Sequence, residues 1–280
     1  MTNPSVLSRT VHAVRDNEWQ SREDCLAVEE PLEIRILRGG ENGPGHAVSI
    51  TMRTPGHDAQ LAAGFLCGEG LVRRRGDIVD IQHYGRGENV IRVEFPPQAT
   101  LDLARLERNF YMSSSCGVCG KASIEAVTAT VPTHAVESDL VVDAALLPTL
   151  ADRARNAQQA FEQTGGLHAA SLFDEAGTLL ASYEDVGRHN ALDKLVGWLF
   201  LHDRLPVARS ILLLSGRASF ELLQKAMAAG IPVVVAMGAP SSLAVELADR
   251  AGIMLAGFLR PHSYNVYTHE ERLRHRFRAM

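Results

Sequence analysis

Between Ile211 and Leu259 three short apolar runs, ILLLSG, PVVVAM and IMLAGFL, alternate with two amphipathic stretches, ASFELLQKAMAAG and SSLAVELADRAG. No other pattern limits the fold of this chain so tightly. Continuous β-branched and leucine runs fit strands buried on both faces, and a helix-length spacer between them makes those strands parallel. The segment therefore predicts a βαβαβ unit. In such sheets ligands gather beyond the carboxyl ends of the strands, where loops lead into helix N-termini. The sequence places SGRAS after the first run, MGAPSS after the second and LRPHS after the third, so three polar loops share one edge.

Those loops carry groups suited to anions. Ser215, Gly216, Arg217 and Ser219 precede one helix, and Ser241 and Ser242 the next, offering hydroxyls and free amides to a phosphate. Arg217 and Arg260 add charge-assisted donors. Serines in these positions also serve as plain helix caps, and no GxGxxG or Walker pattern is present to name a nucleotide class. A second polar cluster, YEDVGRHNALDKLVG from Tyr183, sets Arg188, His189 and Asn190 at a strand-to-helix junction. His168, in GGLHAAS, reads as structural.

Upstream, residues 1–24 are polar and aperiodic and read as a flexible leader. CLAVEEPLEIRIL and HAVSITMRT alternate around GGENGPG as a β-hairpin, and Asp58 stands where it could cap a helix bearing Leu61, Phe65 and Leu66. Two more strands, DIVDIQHY and NVIRVEF, complete an α+β module over residues 25–110. Apolar spacing predicts one long helix over 144–163, stopped by Gly165 and Gly166, then a strand pair, LHAASLFD and TLLASYED, and a helix from Asn190 to about His202.

The formal charge of −5 and pI near 6.1 argue against a nucleic-acid or membrane-surface binder. No apolar run spans a bilayer, and MTNPSVLSRT lacks the apolar core of a signal peptide, so the cytoplasm is the expected compartment. Four cysteines in 280 residues do not make a disulfide framework. Cys67 sits among apolar residues as a small hydrophobe, and Cys25 has no partner in sequence. Cys116 and Cys119 are different. In SSSCGVCGK each is followed by glycine and a helical segment comes next, a setting that lowers thiol pKa and leaves the loop free to present either sulfur.

A structural zinc site would need a second ligand pair, and the chain has no second CxxC. A zinc deaminase would need H-x-E and P-C-x-x-C, where this sequence has His168-Ala-Ala and Ser115 before Cys116. A thioredoxin-like redox pair would sit beside the first strands rather than mid-chain.

Taken in order, SSSCGVCGKASIE, GGLHAASLF, EDVGRHNALDKLVG, LLLSGRASFELLQKA, MGAPSSLAVELA and AGFLRPHSYNVYTH resemble the FdhD/NarQ family, and TPGHDAQLAAGFLCGEGLV extends the likeness upstream. The resemblance implies an α/β fold, a three-layer cytidine-deaminase-like domain with a mixed or parallel sheet over residues 123–280. The CxxC loop at 111–122 would join it to the N-terminal module. It implies a sulfur carrier in which Cys116 takes persulfide sulfur from an IscS-type cysteine desulfurase, with Cys119 assisting. The cargo would be the molybdenum or tungsten bis-molybdopterin guanine dinucleotide cofactor of formate dehydrogenase. Phe258, Leu259, Arg260, Pro261, His262 and Ser263 match the family's guanine-nucleotide segment, so GDP should mimic the cargo. Ser215, Gly216, Arg217, Arg188, His189 and Asn190 join them as the expected binding set. A homodimer with no dedicated metal, no nucleic acid and no membrane insertion completes the expectation, and the arginine-rich end from Arg272 reads as a solvated tail.

Overall fold

The structure, a computed structural model, describes residues 5–85, 87–99 and 136–274. Its first element corrects the flexible leader. Strands β1 (Val6–Arg15) and β2 (Glu18–Ala27) pair in unbroken antiparallel register from Val6↔Ala27 to Arg15↔Glu18. Asp16 and Asn17 turn the chain with both φ angles positive, the conformation a two-residue hairpin requires and that Asp and Asn tolerate. Much of both ribbon faces is solvent-exposed, so the strands carry no apolar alternation to announce them; Trp19 at the tip is 74% exposed.

Next come β3 (Glu30–Arg38), β4 (His46–Arg53), α1 (Asp58–Gly68), β5 (Asp80–His83) and β6 (Val90–Phe95), the strands forming a sheet in the order β4-β3-β6-β5. Period-two alternation turns Leu32, Ile34, Ile36, Ile91, Val93 and Phe95 into the core, where Leu61 and Leu66 of α1 join them. Asp58 is not the cap of this helix. His57 holds that position at φ 60°, and Asp58 is spent on fully buried Arg53, taking Nε at 3.0 Å and Nη2 at 2.9 Å. Such a two-pronged contact satisfies a guanidinium that burial would otherwise leave costly.

The predicted long helix is two short ones, α2 (Leu150–Arg155) and α3 (Gln159–Thr164), after a short β7 (Val142–Asp143) and a 3-10 turn at Leu147–Thr149. A tertiary partner makes the break. The Glu184 carboxylate accepts the N–H groups of Ala160 and Phe161 at 3.1 and 2.7 Å, restarting the helix there, and Gly165 at φ 65° ends it.

The remaining elements are β8 (His168–Asp174), β9 (Leu179–Asp185), α4 (Arg188–Leu201), β10 (Ser210–Leu214), α5 (Phe220–Ala228), β11 (Val233–Ala236), α6 (Ser242–Ala251), β12 (Met254–Arg260), β13 (Ser263–Thr268) and β14 (Leu273–Arg274). Six of these strands form a mixed sheet ordered β13-β12-β11-β10-β8-β9, with β10, β11 and β12 parallel as the apolar runs predict. Leu222 and Leu223 of α5, Leu247 of α6 and Leu192 and Leu195 of α4 pack into the core on one face. The other face is closed by Leu140, Leu147, Leu150 and Ala154 against Ile211, Leu213, Val233 and Val235. The sheet is thus a middle layer. Arg272 is no tail residue: Nε donates to Gly252 O at 3.1 Å and Nη1 to Ser138 O at 2.9 Å, and Leu273 is buried beside it.

The helix layer runs unbroken into the N-terminal sheet because α1 crosses α4 at two glycines. A Cβ on Gly64 would lie 1.8 Å from the Asp193 carbonyl oxygen, and one on Gly197 1.8 Å from that of Gln60. Only hydrogen fits at either place, so an alanine would force the helices apart.

Candidate functional site

Every element that the sequence placed at the sheet edge is found there, and the loops are tied together by backbone. Gly238 N–H donates to Gly216 O at 2.9 Å, Ser241 N–H to Ala218 O at 3.0 Å and Phe258 N–H to Gly238 O at 3.0 Å. Gly238 has to be glycine: a Cβ would meet the Arg217 amide nitrogen at 2.9 Å. The edge also receives the start of β8 and the end of β9, since His168 lies opposite Asp185 in the antiparallel register. Helices α4, α5 and α6 follow β9, β10 and β11, so all three present their N-termini and unpaired first-turn amides to the same edge.

The serines divide by role. Ser241 caps α6, accepting from Ala244 N at 3.3 Å, whereas Ser219 stands at the N-cap of α5 without making a side-chain cap. Its hydroxyl instead lies 3.3 Å from Nε2 of His189. Ser215 ties the edge to β8, accepting from Ala169 N at 2.8 Å. Gly216 passes close to His168, so that a Cβ there would come within 3.3 Å of Nδ1.

Two arginines are left over. Among the described residues the side chains of Arg188 and Arg217 make no hydrogen bond or ion pair, and the Arg188 Nε is shut off from solvent without a partner. Arg260 is employed differently, its Nη1 donating to Met237 O at 2.8 Å and Leu259 O at 2.7 Å, which braces the third loop. Burial, Arg188, Lys225 and His168 together push the His189 imidazole down to about 4; burial and Arg188 also lower His168, against an opposing pull from Asp185. Both rings are therefore neutral near pH 7. A neutral ring reaches a carboxylate only by donating, so the 3.0 Å contact from His189 Nε2 to Glu221 Oε2 puts the proton on Nε2.

The predicted segment at the third loop splits in two. Phe258 is 43% exposed and held at φ 54° within a break in the β12–β13 register. Leu259 points the other way, into the core. Pro261 and His262 form the exposed turn between the two strands, and exposed Ser263 opens β13 opposite Arg260. Asn190 belongs to the scaffold: Nδ2 donates to Met52 O at 2.7 Å and Asp185 Oδ1 at 3.1 Å, and Oδ1 accepts from Thr51 Oγ1 at 3.1 Å. Sequence reasoning missed His168 and Glu221 as members of the edge. The signal available for His168 was its place at the first residue of a strand paired with the one that feeds α4. Cys116 and Cys119 lie outside the described residues; of the other thiols, Cys67 is buried and pushed up to about 11 by that burial, so it stays protonated.

Helix-start amides and guanidiniums are the kinds of donor that suit an anion. Three helix starts, the Arg188 and Arg217 side chains, which have no partner among the described residues, and the neutral His168 and His189 rings belong to this edge, and Phe258 lies exposed on the third loop.

Comparison with known proteins agrees on one lineage. The chain is 48% identical over 273 residues to a "Sulfur carrier protein FdhD" of Streptomyces avermitilis, covering 95% of this chain and 94% of that one. It is 47% identical over 275 residues to the protein of that name in Mycobacterium tuberculosis, with 95% and 97% covered, and 42% identical over 260 residues to that of Saccharolobus solfataricus, with 93% and 95% covered. A crystal structure described as a formate dehydrogenase accessory protein from Desulfotalea psychrophila has the same fold, with a TM-score of 0.75 at 24% identity over 97% of this chain and all of that one. The sequence pattern of one family spans residues 27–274, nearly everything from the end of β2 to β14, and with relatives this similar over this length the chain belongs to the FdhD/NarQ family.

Proposed function

We propose that the protein is a sulfur carrier serving formate dehydrogenase. Cys116 accepts sulfane sulfur from a cysteine desulfurase with Cys119 assisting, and passes it to a molybdenum or tungsten bis-molybdopterin guanine dinucleotide held at the composite edge. Support comes from relatives that carry the carrier's name over nearly their whole length. The geometric observation that carries the reading is a pair of arginines, Arg188 and Arg217, whose side chains have no hydrogen-bond or ion-pair partner among the described residues, at the edge where three helices start. A pyrophosphate is the ligand that such donors accommodate, and Phe258, held at a positive φ that costs on the order of 1–3 kcal/mol, offers a ring face to a purine. The cargo supplies the metal centre that receives the sulfur. The chain's own residues bind and orient it: amides and arginines take phosphate oxygens, while His168 adds a neutral ring and His189, its Nε2 proton committed to Glu221, lines the edge.

Loading is a thiol exchange. The Cys116 thiolate attacks the outer sulfur of the donor's persulfide, the donor's S–S bond breaks, a new one forms on Cys116, and the donor leaves as a thiolate with no net oxidation. The same reading makes the carrier cytoplasmic and homodimeric; among the described residues no helix is long and apolar enough to cross a membrane. Intact-mass spectrometry after incubation with desulfurase and cysteine tests the first half: a reductant-labile gain of one sulfur in the wild type and none in Cys116→Ser is expected. GDP titration tests the second, with Arg188→Ala and Arg217→Ala each weakening binding. Equal sulfur loading by both proteins removes Cys116 as carrier, and equal GDP affinity removes the edge as the cargo site.

A further inference from the structure

We propose that Thr54, in the N-terminal module, is a positioning residue for the anion-binding edge of the other domain, an inference that rests on the cargo-site reading above. Thr54 is the residue after β4, buried to 2% exposure, and it commits its amide, hydroxyl and carbonyl to one distant segment. Its N–H donates to Asp185 Oδ2 at 3.1 Å, its Oγ1 accepts the N–H of Val186 at 3.1 Å, and its O accepts Lys194 Nζ at 2.9 Å. Neighbouring groups repeat the direction, for Met52 O and Thr51 Oγ1 both engage Asn190.

The clamped segment is the turn that launches α4. Asp185 Oδ1 in turn takes the Gly187 N–H at 2.9 Å, so backbone from Asp185 to Gly187 is fixed on both sides immediately before Arg188 and His189. Among the described residues the Arg188 guanidinium has no hydrogen-bond or ion-pair partner to steady it. Where that charge points, and where the first amides of α4 point, is consequently set from the other module. A residue just past the end of a strand in one module thus sets the direction of an arginine in the other.

The clamp predicts an effect on affinity that outlasts any effect on folding. Thr54→Val keeps the amide and carbonyl but strips Val186 N–H of its acceptor, and GDP affinity, measured by calorimetry well below the melting temperature, should fall about tenfold, the scale of one lost hydrogen bond. Thr54→Ser restores the oxygen and should bind like the wild type, as should Ile34→Val, a core change in β3 away from the clamp. Hydrogen exchange at the Val186 amide should quicken in Thr54→Val alone. If valine prevents folding, Thr54→Ala removes the same acceptor without bulk and is read the same way. Wild-type affinity in the folded Thr54→Val protein overturns the proposal, and so does Thr54→Ser binding as weakly as Thr54→Val. A wild type that does not bind GDP overturns the edge itself, a failure separate from a wild type that binds and a variant that binds equally.

Discussion

Asp193 and Lys194 are adjacent on α4, opposite in charge and both buried, yet each pairs with a residue elsewhere. Consecutive helix positions do not face each other. Lys194 reaches Asp185 at 2.7 Å and Asp193 reaches Lys225 of α5 at the same distance, but the two pairs are furnished differently. The Lys194 ammonium donates to Asp185, Thr54 O and Glu184 O, and the Asp185 carboxylate accepts Thr54 N, Gly187 N and Asn190 Nδ2 besides the lysine. Among the described residues the Asp193–Lys225 pair shows only its mutual side-chain hydrogen bond, with Glu69 and Glu221 acting on it as more distant charges and Phe65 at 6.0 Å from the ammonium. A buried charge with all its hydrogen bonds made behaves as rigid scaffold; one with a single partner remains close to losing its proton or gaining one.

The sharpest way to break this contrast is Lys194→Met. It leaves Asp185 buried without a counter-charge, and a loss of about 3–5 kcal/mol in urea unfolding is expected. Lys225→Met should cost about 1–2 kcal/mol, because Asp193 can take up a proton instead of standing charged. The paired replacement Asp193→Leu with Lys225→Met should return stability to within about 1 kcal/mol of the wild type or above it. Equal losses for the two lysine variants would erase the distinction.

Proton uptake gives a finer test. Burial, against the pull of Lys225, pushes the Asp193 carboxyl from 3.8 to about 6, while on Lys225 burial is outweighed by Asp193, Glu69 and Glu221, which raise it. A folded-state value above the unfolded one means the folded protein binds a proton that the unfolded chain has released across that window. Asp193 therefore favours the fold most at low pH and loses that contribution as pH rises through about 6. Relative to the Asp193→Leu, Lys225→Met variant, the wild type should gain stability on going from about pH 7 to about pH 4.5. The opposite slope would mean that Asp193 is held charged by its lysine. The smallest expected effect is at the edge: Lys225 is among the charges that depress His189, after burial and Arg188, so Lys225→Met should move the His189 NMR titration up from about 4.

What could be read from the chain followed burial on both faces or on one. ILLLSG and PVVVAM have no reading other than central strands, and the loops after them had to share an edge, so the arginines and serines at the candidate site were legible. The ribbon over Val6–Ala27 was not, because strands wet on both faces have no periodicity to show. Neither was the gap between α2 and α3, which depends on Glu184 from another element, nor the scaffold role of Asn190, whose partners Met52 and Thr51 are contributed by β4. Nothing in RTPGH singles out Thr54. Its three partners become visible only once α4 is in place.

The glycine crossing between α1 and α4 bears on synthesis. As the chain leaves the ribosome, α1 and the end of β4 emerge long before their partner surfaces; 132 residues separate Thr54 from Val186. At about 5–20 residues per second, that is a wait on the order of 10 s. Throughout it the nascent first half displays a helix face notched for a backbone that does not yet exist, with the threonine's hydroxyl and carbonyl unanswered. The seam between α1 and α4 can close only once α4 has been made, so the contacts that join the two modules are among the last to form during synthesis.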